Sequence, residues 1–367
     1  MQTRWKLLAG SGAAAAALLS FAAAASAATT VVITSPAAGL TTPNDLGVVA
    51  YSYGTDSVRV LQIYLDGVKK TESVNPVHDR INALISTTTN AAHQLTVQAL
   101  DFSNAVVGKT TITFATTASP LTLPDVDQSA WNPCDPAHGC NSGGNQAPTP
   151  AAIPWTSAPN EDGHAIEFPT QNPAAAYNTD YWWVTHTPPS GSVAHYFKYE
   201  FDLWIPTGFG NTPQGIEWEC QQTINGYVYN FGWQAQYVRS SSGGTDNVYK
   251  VYRYPPPSGG TGGWEEVNLP LTRFPENQWT HIVAEYHVDS TGTVWHDALT
   301  VSNSLGSARL DPYWFDAASG AYKSISHVPP FWSGRGNQFS NAFQLDVNGS
   351  GAAYHVFVDK MKLTYVP

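Results

Sequence analysis

Residues 197–205 alternate apolar and polar side chains almost without a break. Phe197, Tyr199, Phe201, Leu203 and Ile205 fall on one side, and Lys198, Glu200, Asp202 and Trp204 on the other. A repeat of two belongs to an extended strand; a helical repeat would scatter both sets around an axis. The pattern returns at residues 227–237, 279–288, 343–348 and 354–366, and no amphipathic helical stretch of comparable quality accompanies it. Residues 155–367 are therefore expected to be all-β. So many alternating strands in one stretch suggest a two-sheet jelly roll.

One of these strands concentrates the chemistry. In Ile216-Glu217-Trp218-Glu219-Cys220-Gln221 the apolar residues face a core and Glu217, Glu219 and Gln221 share the other face. Glu217 and Glu219 then stand about 7 Å apart at Cα. Two carboxyls in a groove are how glycan hydrolases assemble an acid and a nucleophile, and the same groups can hydrogen-bond sugar hydroxyls without catalysis. Asp202 or Glu200 on a neighbouring strand is the candidate to complete an acid pair. Gln221, Gln234, Gln236 and Gln344, with Asp346, offer both donors and acceptors, as hydroxyl ligands require. Trp204 lies on the polar side of its strand, where an indole can stack on a sugar ring, and Trp182 and Trp183 point to opposite faces.

The N-terminal part reads differently. Arg4 and Lys6 precede an apolar Ala/Leu run that ends at Ala25-Ser26-Ala27, the layout of a cleaved signal peptide over residues 1–27. An exported, extracellular protein is expected, with the periplasm as the alternative compartment and no membrane attachment after cleavage. Residues 28–115 carry short strands with turn signals between them, Asp66-Gly67 the clearest, and suggest an immunoglobulin-like sandwich. Residues 116–154 are dense in Pro, Gly, Ser and Asn and read as a linker. Within them Cys134 and Cys140 flank a short loop that a disulfide could close, which leaves Cys220 as a buried thiol.

Charge limits the partners. The chain has 17 Lys and Arg against 28 Asp and Glu, a net charge of −11, and loss of Arg4 and Lys6 makes it more acidic. That excludes nucleic acid and anionic membranes as partners and argues against polyanionic substrates. Charged residues are only 12% of the chain, and the polar strand faces are largely neutral. His281 and His287 are too far apart along one strand to share a metal, so no metal or cofactor is expected. Asp346 and the loop bearing Asp311 and Asp316 are the weak candidates for Ca²⁺.

Residues 28–115 resemble the bacterial immunoglobulin-like modules of secreted proteins, above all at Ile63-Tyr64-Leu65-Asp66-Gly67-Val68. Residues 155–367 resemble the concanavalin A-like lectin/glucanase superfamily. That likeness rests on Tyr199-Glu200-Phe201-Asp202-Leu203-Trp204-Ile205-Pro206, Gly215-Ile216-Glu217-Trp218-Glu219-Cys220-Gln221, Phe231-Gly232-Trp233-Gln234, Gln278-Trp279-Thr280-His281-Ile282-Val283 and Phe343-Gln344-Leu345-Asp346-Val347-Asn348. The laminarinase/lichenase-type enzymes of that superfamily carry Glu-x-Asp-x-Glu, with a nucleophile first and an acid/base last. This chain matches the first position with Glu217, keeps a charge at Glu219, and has an amide, Gln221, where the acid/base would stand. An amide cannot donate a proton as an acid and then take one back. The resemblance thus implies recognition of a neutral polysaccharide on the polar sheet face. The alternatives are a retaining β-glycan endo-hydrolase using Glu217 and a nearby carboxylate, with a polysaccharide lyase a more remote enzyme reading, and a structural or adhesive surface protein.

Overall fold

The computed structural model describes residues 28–88, 90–134, 149–157, 159–170, 178–187, 194–208, 213–236, 248–253, 263–270, 274–327, 331–332, 335–347 and 353–367. The expected signal segment, residues 1–27, and Cys140, the expected partner of Cys134, lie outside the described residues. The described chain is almost entirely strand, as expected. No helix among the described residues is long and apolar enough to cross a membrane.

The first unit is an eight-stranded sandwich. One sheet orders β1 (Thr30–Ser35), β3 (Asp45–Tyr53) and β6 (Arg80–Ser86). The other orders β2 (Thr41–Pro43), β8 (Val106–Thr117), β7 (Ala92–Leu100), β4 (Val60–Leu65) and β5 (Val68–Val74). Alternation in β4 and β7 sends Leu61, Ile63, Leu95 and Val97 inward, where they are fully buried in a core separate from that of the rest of the chain.

The second unit packs two large sheets face to face. The front sheet orders β10 (Asn132–Pro133), β13 (Asn178–His186), β26 (Gln338–Val347), β15 (Pro213–Ile224), β16 (Tyr227–Gln236), β17 (Val248–Arg253) and β18 (Gly263–Pro270), with β25 (Phe331–Trp332) beside β16. The back sheet orders β11 (Ile153–Trp155), β12 (Ala165–Pro169), β27 (His355–Val366), β14 (Tyr196–Trp204), β19 (Trp279–Val288), β20 (Val294–Asn303) and β21 (Gly306–Leu310). The short strands β9 (Leu121–Leu123) and β24 (Ser326–His327) pair with β27 and β20, and β22 (Tyr313–Asp316) and β23 (Ala321–Ser324) form a hairpin.

Aromatic rings fill the space between the sheets. Phe201 of the back sheet meets Trp218 and Phe343 of the front sheet edge-on, with centroids 5.7 and 6.2 Å apart. Cys220 lies in this core, and burial pushes its thiol far above the ordinary range, so it packs as a small apolar group.

The segment read as a linker is partly built into this unit. Its β9 pairs with β27, the 3-10 turn Val126–Gln128 follows, and Val126 and Trp131 join the core. Segments of two or three residues are too short to show a repeat, which is why composition alone suggested a spacer.

The two sandwiches meet through a buried arginine. Arg80, 6% exposed, reaches Asp311 with Nε (2.6 Å) and Nη2 (2.8 Å). Its remaining donors reach the Tyr322 carbonyl (2.6 Å) and Ser324 Oγ (2.7 Å). The guanidinium also lies about 5 Å from the ring centroids of Tyr51 (5.3 Å) and Tyr313 (5.2 Å). Asp311 therefore spends both oxygens on Arg80, and Asp316 is engaged by Lys323 and Ser319. These contacts engage the two carboxylates of the loop named as a Ca²⁺ candidate.

Candidate functional site

The outer face of the front sheet gathers most of the expected site residues, and pairing register fixes their neighbours. Glu217 stands opposite Gln234 on β16 and Gln344 on β26. Glu219 stands between Gly232 and Ala342, and Gln221 between Asn230 and Ser340. Asp346 pairs with Gly215 and Thr179, and Gln236 also faces Gly215. The core-facing alternates, Ile216, Trp218, Phe231, Trp233, Phe343 and Leu345, are completely buried, which holds this register against slippage.

Hydrogen bonds tie the grid together. Gln234 Nε2 donates to Glu217 Oε1 and, at 3.3 Å, to Asp346 Oδ2. Asp346 Oδ1 accepts from Thr179 Oγ1 (2.9 Å) and Gln344 Nε2 (3.1 Å). Glu219 Oε2 accepts from Gln221 Nε2 (2.9 Å) and Asn230 Nδ2 (3.4 Å). Gly215 leaves room for this cluster, since a β-carbon there would lie 3.0 Å from Gln234 Nε2 and 3.3 Å from Asp346 Oδ2.

The acids here are not ordinary surface carboxylates. Glu217 is 2% exposed and Glu219 8%. Burial pushes Glu217 well above the usual carboxylate range; the negative charges of Asp346 and Glu219 push the same way, and Glu217 shares a hydrogen bond with Asp346. Burial also raises Asp346, against the donors that surround it. Glu219 is raised by burial and partly restored by Gln221 and Asn230. A carboxyl and a carboxylate side by side in a poorly solvated setting share a proton instead of both ionising. Nearby Tyr181 is raised well above its ordinary value by burial, with Glu219 and Glu217 adding to it, so it stays a neutral phenol.

Aromatic side chains border the grid. Trp183 and Tyr181 stack on each other (5.9 Å) on this face, whereas Trp182 points into the core and donates to the Pro150 carbonyl (2.6 Å). On the other side Trp264 meets Tyr252 edge-on (5.7 Å). It leans across β17 onto Gly232, where an added β-carbon would lie 2.8 Å from Trp264 Cη2 and 3.3 Å from Glu219 Cγ. Glu219 thus sits in a row whose small neighbours, Ala342 and Gly232, leave a trough between indoles. Gly232→Val is expected to drive Trp264 off its seat and cost about 1–3 kcal/mol. Near-UV circular dichroism and a thermal melt read both effects.

Two expected residues belong elsewhere. Asp202 and Trp204 lie on β14 of the back sheet, on its outer face, because Phe201 and Leu203 take the core. The two outer faces point in opposite directions across the core, so Asp202 cannot supply an acid to Glu217. Instead it pairs with His281 (2.7 Å), while Trp204 packs edge-on against Trp279 (5.4 Å). The face around Asp202 is a lattice of ion pairs, Lys198 with Glu200 (3.0 Å) and Lys362 with Glu200 (3.4 Å), in which partly exposed lysines cover buried acids.

Tyr181, Tyr252, Trp264 and Gly232 are members of the front face that sequence reading did not single out. The period-two run Val248-Tyr249-Lys250-Val251-Tyr252 held the signal for Tyr252. Trp264 follows a glycine-rich stretch that conceals its strand. Among the described residues no group of three or more His, Cys, Asp or Glu is placed to hold a metal ion.

No protein-family model matches the chain, and no curated protein matches it. Among solved structures it is similar to a carbohydrate-binding module of the beta-sandwich superfamily, at 9% identity and a TM-score of 0.28, covering 93% of this chain and 98% of that one. It is also similar to peanut lectin bound to a nine-residue peptide, at 9% identity and a TM-score of 0.37, covering 68% and 100%. An endo-beta-1,4-glucuronan lyase from Trichoderma reesei gives 11% identity and a TM-score of 0.36, covering 59% and 87%.

Proposed function

We propose that the front-sheet face binds a neutral polysaccharide and that the chain works outside the cell as a carbohydrate-recognising protein without a cofactor. One observation carries this reading: Glu217 and Glu219 are buried and interleaved with amides, between indole walls. Protonated carboxyls and amides both donate and accept, which suits sugar hydroxyls. A uronate would add negative charge beside Glu217, Glu219 and Asp346, so neutral sugars are favoured. Trp183 and Trp264 offer flat faces to sugar C–H groups. The amide at Gln221 opposes hydrolysis, and so does the burial that raises the Glu217 pKa, because a retaining nucleophile must be ionised.

The test is affinity electrophoresis in gels cast with lichenan, glucomannan or alginate, combined with a reducing-sugar assay. Retardation by a neutral glycan and not by alginate is expected, without release of reducing ends. Glu219→Ala and Trp264→Ala should each weaken binding about tenfold, in line with roughly 1–3 kcal/mol for a lost partner in a desolvated site. Release of reducing ends that Glu217→Gln abolishes would replace recognition with hydrolysis.

A further inference from the structure

A cleft of about 670 Å³ opens at the seam between the two sandwiches, on the opposite side of the jelly-roll unit from the grid of Glu217 and Glu219. Its floor is the outer face of the back sheet, where Lys198 stands between Thr364 and Glu285 in one row and Thr300 between Val283 and Arg309 in the next. Its roof comes from the first sandwich, chiefly Asn44, Leu84 and Ser86. The Arg80 contacts fix roof to floor, so the cleft is formed before any guest arrives. Clefts of a few hundred Å³ at domain seams are a common setting for small ligands.

The lining selects the guest. The basic groups on the floor are engaged or sealed off: Arg309 binds Glu285 and Asn82 Oδ1 (2.7 Å), and its Nη2, without a partner among the described residues, is buried out of solvent reach, while Lys198 binds Glu200 (3.0 Å) and His281 binds Asp202 (2.7 Å). An anionic guest would have to break one of these pairs and would also meet Asp45, an exposed carboxylate of the same lining. A cation would find Glu285 engaged by both Arg309 and the Tyr196 hydroxyl (3.0 Å). What remains is a set of hydroxyls, Ser86, Thr300 and Thr364, facing apolar Val283 and Leu84, the latter 59% exposed. Hydroxyls beside aliphatic surface match a ring that carries its own hydroxyls on a C–H framework.

We propose that this seam is a second glycan site, taking one or two units of a neutral sugar chain, so that the molecule can hold two chains on opposite sheets. The site does not depend on the front face being a glycan site. Isothermal titration of the full chain with laminarihexaose, cellohexaose and xylohexaose tests it. Two sites per chain are expected with at least one of these probes. Thr300→Trp, which fills the floor, should reduce them to one and change the remaining affinity less than twofold. Glu219→Ala should instead weaken the other site about tenfold and leave the seam unchanged. Leu84→Asp at the roof gives the same readout should Thr300→Trp fail to fold by its melting curve. Unchanged stoichiometry and affinity in folded Thr300→Trp and Leu84→Asp, or no binding of any probe that either variant weakens, overturns the proposal. A single wild-type site abolished by Thr300→Trp and untouched by Glu219→Ala upholds the seam and rejects the front face.

Discussion

Arg80→Met is expected to cost about 3–5 kcal/mol at pH 8, the usual penalty for removing one partner of a buried ion pair, and to split one cooperative unfolding transition into two. Arg80 of the first sandwich binds Asp311 with two donors, and it also reaches Tyr322 and Ser324. Methionine keeps much of the apolar length between Tyr51 and Tyr313 and removes every donor. The Asp311 carboxyl would then be buried without its cation. Burial already raises its pKa against the pull of Arg80, so in the variant it would take up a proton, and the loss should shrink as pH falls. The transitions are separable optically, because residues 28–115 contain no tryptophan. Indole fluorescence follows the second unit alone, while far-UV circular dichroism follows both. Asp311→Leu in the same chain should recover part of the loss, since it removes the stranded carboxyl. A single transition unchanged by Arg80→Met would show that the seam contributes nothing to cohesion.

Acidification from pH 8 to pH 5 should raise the melting temperature, and Asp127 is one reason. This carboxyl is 3% exposed. Its Oδ1 accepts the Met361 N–H (3.2 Å) and its Oδ2 has no partner among the described residues. Burial, with the charges of Asp359 and Asp162, pushes it from 3.8 up to about 7. Between those values the native chain holds a proton that the unfolded chain has released. The stabilisation is complete below about pH 4 and is lost as pH rises through 7, up to roughly 4 kcal/mol at 1.4 kcal/mol per unit. Glu217, Glu219 and Asp346 are shifted in the same direction and add to the slope. Asp127→Asn retains an acceptor for Met361 and carries no charge. It should raise stability most at pH 8, raise it less at pH 5, leave it nearly unchanged only below about pH 4, and flatten the pH dependence. A melting temperature that climbs with pH over this range would contradict the assignment.

The strands were legible because a two-residue repeat with a buried face admits one register. Residues 197–205 show it, and Phe197 to Ile205 reach the core where the alternation puts them. The row of Glu217, Glu219 and Gln221 was legible for the same reason. What the repeat does not contain is the sheet a strand joins. Residues 196–204 and 213–224 are consecutive strands in the chain, yet they fall in opposite sheets. Asp202 and Trp204, read as neighbours of Glu217, therefore face away from it. Trp264 was hidden by another limit, since its place in the trough depends on a glycine two strands away leaving room for its ring. Such a contact is a property of pairing order and not of either segment.

The central claim is that the outer face of residues 213–236 is a glycan-binding surface. Hydrogen–deuterium exchange with a bound neutral hexasaccharide addresses it most directly. Protection is expected in peptides covering residues 213–224, 227–236 and 338–347, and clearly less of it at the same ligand concentration for the Glu219→Ala chain. Protection confined to other parts of the molecule, with these three segments exchanging as in the free protein, would contradict the claim.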